Sequence, residues 1–315
     1  MINCIKKLTL IVLVCLPNVS SAAGVTKILI GFPPGGGNYS MAQALSESAA
    51  RLGYTNIVES RPGAGGILGV NECVTRSKEK NLICLVSQTQ YAHSLLLSSD
   101  IRKFDPEKLT YIKIIAATPL VLVTNSNNHK SIQNLVTDLK EQNGQPVFFG
   151  SSSIGLQTST NWLLYQTKSV TGQNIDYKGI NQIINDLLGN HINYSICFYS
   201  SVKAQIEQGN LRVVAMVGST FDDPKLMNFA KLQKTVPGME IIDQKFGIVM
   251  GPNADPAAVK YYETMLSKIM KDPKFQAQIK AEGNFLYDAN LSSSDFAQIA
   301  AQERILLLQQ RYKIK

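Results

Sequence analysis

The sequence has little with which to hold a metal. Its histidines, His93, His129 and His191, stand far apart, and no two cysteines have the CxxC spacing of a metal or redox site. Neither a metal nor any other cofactor is expected. Charge is sparse as well: 17% of the residues are charged against 44% hydrophobic. Such a chain fills a core and does not behave as a disordered polymer. The net charge of +8 would suit nucleic acid if it were concentrated, but no basic run concentrates it. It reads as a generally basic surface that steers anionic solutes, with no nucleic-acid partner. Long apolar runs are missing too. Leu8 to Leu16 is about half the roughly 20 residues that a membrane span needs.

That short run fits a leader instead. Lys6-Lys7 precede it, and Ser20-Ser21-Ala22-Ala23 follow with the small residues of a cleavage site. Residues 1–22 are read as a signal peptide cleaved near Ala22, which places the mature chain in the periplasm. A lipoprotein is not expected, because Val14 precedes Cys15 where a small residue is required. The remaining length normally divides into two domains. Cys4 and Cys15 leave with the leader, so Cys73, Cys84 and Cys197 enter an oxidising compartment. Cys73 falls in a predicted helix and Cys84 in the next predicted strand. Either they are bridged or they are small buried residues.

Along the mature chain, strand, turn and helix alternate. Val25 to Phe32 reads as a buried strand, Ser40 to Arg51 as a helix, Asn56 to Glu59 as a strand, and Asn81 to Ser87 as another. This cadence predicts an α/β fold with a mainly parallel sheet. Tyr111 to Val123, broken at Thr118-Pro119, is the expected first crossing between lobes, and Phe246 to Pro252 the return. Ser131 to Gln142, Thr158 to Gln166, Pro256 to Lys271 and Ser294 to Gln310 are predicted helices. The expected division is residues 23–118 with 247–315 in one lobe and 119–246 in the other.

Two loops carry the chemistry. Pro34-Gly35-Gly36-Gly37-Asn38-Tyr39 and Ser151-Ser152-Ser153-Ile154-Gly155 each follow a predicted strand and open a predicted helix. Such turns present free backbone N–H groups, and the helix dipole adds partial positive charge, so each is an anion site without a charged side chain. The bland alternatives are a tight turn at the glycines, a helix cap at the serines, and a structural Gly/Pro turn over Ser60 to Gly66. Enzyme signatures fit poorly. Gly35-x-Gly37 lacks the third glycine of a dinucleotide fingerprint, although Glu59 ends the next strand; no Gly-Lys-Ser/Thr is present; Ile154 replaces the last glycine of a nucleophile elbow. Asp222-Asp223 reads as a solvated turn rather than an acid/base pair.

The motifs Phe32-Pro-Pro-Gly-Gly36, Glu59-Ser-Arg-Pro-Gly-Ala-Gly-Gly66, Gly150-Ser151, Tyr177-Lys-Gly179, Asp186-Leu-Leu-Gly189, Gly209-Asn-Leu-Arg-Val-Val-Ala215 and Gly251-Pro252 recur in order along essentially the whole mature chain. In that order the sequence resembles the Bug-type periplasmic receptors of tripartite tricarboxylate transporters. The resemblance implies a two-lobed periplasmic binding fold (type II, venus flytrap) with two crossing strands. It also implies capture of a small carboxylate between the lobes and delivery to membrane permease subunits by a monomeric, non-enzymatic receptor. A sensor of the same fold is the alternative, an exported enzyme the more distant one. Carried over, the ligand-binding residues are Pro34 to Asn38 with Tyr39, Ser151 to Ser153 and Gly155; Phe32, Ser87 and Gln88 line the first-lobe wall, and Tyr177 and Gly179 approach from the second. The chain departs from the family where an acidic residue and an arginine are usual, at Tyr39 and Gln43, which disfavours an amino acid ligand. It departs again at Ser153, Asn161, Asp176 and Phe246.

Overall fold

The computed structural model describes residues 24–128, 130–141, 144–219, 224–239 and 243–314. The leader, His129 and Asp222-Asp223 lie outside the described residues.

The first lobe is laid down as β1 (Thr26–Ile30), α1 (Gly37–Arg51), β2 (Asn56–Ser60), α2 (Ile67–Thr75), β3 (Leu82–Ser87) and the short α3 (Gln88–Tyr91). β4 (Thr110–Thr118) ends this lobe, Pro119 interrupts the ladder, and β5 (Leu120–Asn125) begins the second. There follow α4 (Ile132–Lys140), β6 (Val147–Ser151), α5 (Ile154–Gln166), β7 (Gly172–Asp176), α6 (Ile180–Leu188), β8 (Tyr194–Phe198), α7 (Tyr199–Glu207), β9 (Leu211–Met216) and the single turns α8 (Pro224–Met227) and α9 (Leu232–Thr235). β10 (Gln244–Met250) returns to the first lobe, which α10 (Pro256–Lys271), α11 (Pro273–Ala281), β11 (Phe285–Leu286) and α12 (Ser293–Ile314) complete.

Each lobe has one sheet. The first runs β11-β4-β10-β3-β1-β2 and the second β7-β6-β8-β5-β9. The expectation of a mainly parallel sheet is corrected here: both sheets are mixed. β1 is parallel to β2 and β3, and β6 to β7 and β8, as strand–helix–strand units require. The crossing strands break the pattern. β10 runs antiparallel to β3 and β4, and β5 antiparallel to β8 and β9, because each enters its sheet from the other lobe. Pairing of β10 within the first sheet already begins at Gln244, opposite Thr118.

Helices also start earlier than the apolar periodicity suggests. α1 begins at Gly37, with the extended Gly36 as its N-cap, so the glycines of the loop belong to the first turn. α5 likewise begins at Ile154 rather than Thr158. α11 has no counterpart in the sequence reading, yet Asp272 caps it by accepting from the Lys274 N–H and Pro273 supplies a preset φ at its first position.

Close backbone approach explains the Ser60–Gly66 motif. A Cβ at Gly31 would sit 2.2 Å from the Gly66 carbonyl oxygen, and one at Gly69 would sit 2.6 Å from Gly31 Cα. Gly66 itself has φ +90°, in the left-handed region that favours glycine. The end of β1 therefore packs directly on the start of α2. Glu59 is occupied structurally: Arg76 bridges it at 2.6 Å together with Glu72 and Glu79. Cys73 of α2 and Cys84 of β3 are bridged, with Cα atoms 6.3 Å apart, and Cys197 is free and buried. At the C-terminus α12 is fastened to the first lobe by the buried Lys245–Glu303 pair and by Arg304, which donates to the Tyr111 hydroxyl at 2.8 Å. Phe296 packs edge-on against Tyr91 and Tyr111.

Candidate functional site

A cavity of about 260 Å³ lies between the lobes, and helix starts surround it. From the first lobe come Phe32, Pro33 and Pro34, then Gly36, Gly37 and Asn38 at the head of α1. From the second come Ser152, Ser153 and Leu156 at α5, Lys178 to Gln182 at α6, and Cys197, Phe198 and Ser201 at β8 and α7. α1, α6 and α7 have no side-chain cap hydrogen bond at their N-terminus. At α7 the first two N–H groups are already taken, Tyr199 donating to the Pro119 carbonyl at 2.9 Å and Ser200 to the Thr118 hydroxyl at 3.5 Å, so the starts of α1 and α6 are the better donors, and the dipoles favour negative charge beside them. Among the described residues the lining includes Lys178 and no aspartate or glutamate.

The lobes touch around this cavity. A Cβ at Gly35 would meet Asn181 Nδ2 at 2.8 Å, one at Gly65 would meet Ser153 Cα at 3.2 Å, and one at Gly155 would meet Thr89 Oγ1 at 2.6 Å. The hydroxyls of Thr89 and Ser153 lie 3.4 Å apart across the boundary. Phe198, in the cavity wall, stands edge-on to Phe246 of β10 at 5.9 Å, so the buried aromatic at position 246 backs the wall instead of reaching into the cavity. A wider crevice of about 690 Å³ adjoins the cavity, sharing Pro33, Ser152, Ser153 and Lys178 with it.

Of the residues expected from sequence, Phe32, Pro34, Gly36, Gly37, Asn38, Ser152, Ser153 and Gly179 meet in the cavity lining. The others are placed elsewhere. Gly35, with φ +95°, is at the interlobe contact. Tyr39 is half-buried against the first-lobe core, and Gln43 is exposed on α1. Ser87 is fully buried, with its hydroxyl and N–H both donating to Gln90 Oε1, and Gln88 is fully buried beside it. Ser151 turns into the second lobe and donates to Asn174 Oδ1 at 2.7 Å. Ser153 is the N-cap of α5, accepting from the Leu156 N–H, and also lines the cavity, so cap and site coexist. Gly155 lies under Thr89 and His93. Tyr177 borders the outer crevice and donates to Asp186 at 2.6 Å; burial, then that carboxylate, pushes its pKa up to about 12. Asn161 is exposed on α5, and exposed Asp176 accepts from Gln157.

Sequence reasoning missed Lys178, Asn181, Gln182, Phe198 and Ser201. The signal existed: Phe198-Tyr199-Ser200-Ser201 is another strand end running into hydroxyls and a helix, like the two loops singled out.

Two groups bear on reactivity. Burial pushes the Cys197 thiol up to about 12, so this cavity-wall sulfur is an uncharged apolar surface. His93 is held down to about 4 by burial, its Nδ1 has no partner, and among the described residues no hydrogen bond joins a serine hydroxyl to a histidine. Among the described residues no cluster of His, Cys, Asp and Glu could hold a metal, and no helix is long and apolar enough to cross a membrane.

Comparison with known proteins places this geometry. The profile of the tripartite tricarboxylate transporter family receptor matches residues 41–307. BugT of Bordetella pertussis is 30% identical over 61% of this chain, an alignment that spans 60% of its own length. The periplasmic binding protein BugD superposes with a TM-score of 0.82 at 20% identity, covering 92% of this chain and 97% of BugD. The malate-bound MatC of Rhodopseudomonas palustris superposes at 0.80 with 14% identity, covering 89% of this chain and 96% of MatC. The shared architecture is the two-lobed periplasmic binding fold.

Proposed function

The chain belongs to the tripartite tricarboxylate transporter family of receptors, and on that premise we propose that it captures a small carboxylate in the interlobe cavity and delivers it to membrane permease subunits. The observation that carries the reading is the set of helix starts around a cavity whose lining, among the described residues, has one lysine and no acidic residue. An anionic group there receives backbone N–H donors and favourable dipoles from both lobes, so binding rewards closure. The carboxylate bound to MatC is consistent with the same use of the fold. In this reading the protein is a monomeric, non-catalytic receptor in the periplasm, freed of a leader cut near Ala22. One lobe is formed by residues 23–118 and the chain from β10 onward, and the other by the residues between, so the return falls at Gln244, ahead of the expected 246/247 boundary. The ligand-contacting set is the cavity subset of the expected residues together with Lys178 and the first turns of α6 and α7.

The test is a thermal-shift screen of the mature protein against mono-, di- and tricarboxylates. A ligand that binds only the folded state raises the melting temperature by mass action. At least one carboxylate is expected to do so in a saturable manner, and a screen without any shift would sink the proposal.

A further inference from the structure

Resting on the carboxylate-receptor reading, we infer that the cavity selects a monocarboxylate with an apolar body bearing one hydroxyl or N–H donor, and that Asn38 reads that donor. Charge sets the first limit. With no aspartate or glutamate among the described residues of the lining, a ligand ammonium would be desolvated without a counter-charge, which disfavours amino acids. The uncapped starts of α1 and α6 with Lys178 supply donors for one carboxylate, a group with about four acceptor positions. Beyond those donors a second or third carboxylate would find only neutral groups such as Ser152, Ser201 and Asn181 and no further cation, set among Phe32, Leu156 and Phe198, an apolar wall that accommodates a ring or branched chain. The volume of about 260 Å³ suits a compact body.

Asn38 sets the second limit. It is 4% exposed, lines the cavity, and its buried Oδ1 has no hydrogen-bond partner. A buried carbonyl oxygen without a donor is costly, and a donor carried by the ligand removes that cost. A site built to pair with a ligand hydroxyl discriminates strongly against the analogue that lacks it.

Isothermal titration calorimetry on the mature chain tests this with matched pairs: benzoate against each of the three hydroxybenzoates, and isocaproate against 2-hydroxyisocaproate. Malate, citrate and aspartate serve as comparators. At least one hydroxylated monocarboxylate should bind ten-fold or more tightly than both its parent and malate or citrate, and aspartate should give no heat. Asn38→Leu should reduce the difference within that pair to less than about two-fold. Asn38→Asp, which keeps an acceptor oxygen in place, should preserve the ratio while weakening both members. Tighter binding of malate or citrate than of every monocarboxylate overturns the inference and leaves the receptor reading intact. A pair difference that survives Asn38→Leu, in protein whose circular dichroism is unchanged, removes Asn38 from it. Failure of every carboxylate to bind defeats both.

Discussion

Thr89, at the start of the first-lobe helix α3, faces Ser153, the N-cap of second-lobe α5, with their hydroxyl oxygens 3.4 Å apart. The lobes thus meet at a helix start that also lines the cavity. Two residues on, Gly155 lies so close to Thr89 that a Cβ there would stand 2.6 Å from its hydroxyl.

Gly155 therefore offers a way to block closure without unfolding a lobe. Its backbone is helical, so a side chain is not strained there. Gly155→Val should leave the melting temperature of the unliganded protein within a few degrees of wild type. It should also weaken ligand binding by ten-fold or more and abolish the ligand-induced fall in radius of gyration seen by small-angle X-ray scattering. Wild-type affinity would show that this contact does not limit closure.

The loop before α1 should be intolerant of proline. Gly36 is the N-cap, and its carbonyl already accepts from Tyr39 and Ser40, so its N–H is the group a ligand can use. Gly36→Pro removes that donor and constrains Gly35, which holds φ +95°. Calorimetry should show loss of carboxylate binding, whereas retained affinity would move the anion site away from this loop.

His93 makes stability depend on pH. Burial lowers its pKa from 6.5 to about 4, so below pH 6.5 the unfolded chain binds a proton that the folded chain refuses. The contribution is fully present above pH 6.5 and is lost progressively as pH falls to about 4. At most it amounts to about 3 kcal/mol, from the size of the shift. Urea denaturation of wild type and His93→Gln across that interval should show the wild type losing more stability on acidification. Parallel pH profiles would mean that His93 titrates alike in both states.

The Cys73–Cys84 bridge closes a short loop, with a sequence separation of 11. Chain-entropy arguments assign such a crosslink about 3 kcal/mol through restriction of the unfolded state. Reduction, or the Cys73→Ala/Cys84→Ala double variant, should lower the denaturation midpoint accordingly, while ligand affinity changes little because neither residue lines the cavity. An unchanged midpoint under reducing conditions would count against the bridge as a stabilising element.

That Gly36, Gly37, Ser152 and Ser153 stand at or beside helix starts was legible in the primary structure, because a strand–turn–helix order depends on local residue types. The crossing at Pro119 was legible for the same reason: proline interrupts a ladder wherever it stands. Orientation was not local. Ser151 and Ser152 are chain neighbours, yet strand alternation turns one into the second-lobe core and the other toward the cavity. Ser87 and Gln88, expected in the wall, are buried behind it because Gln90 folds back on Ser87. Lys178, Asn181 and Ser201 join the site only because β6, β7 and β8 align their carboxyl ends at the boundary. The cavity that Asn38 lines likewise needs both lobes, since its facing wall comes from residues more than a hundred positions away along the chain. Local sequence marks where a strand end runs into a helix start; the apposition of distant strand ends decides which of those starts one cavity gathers, because that depends on how the sheets align.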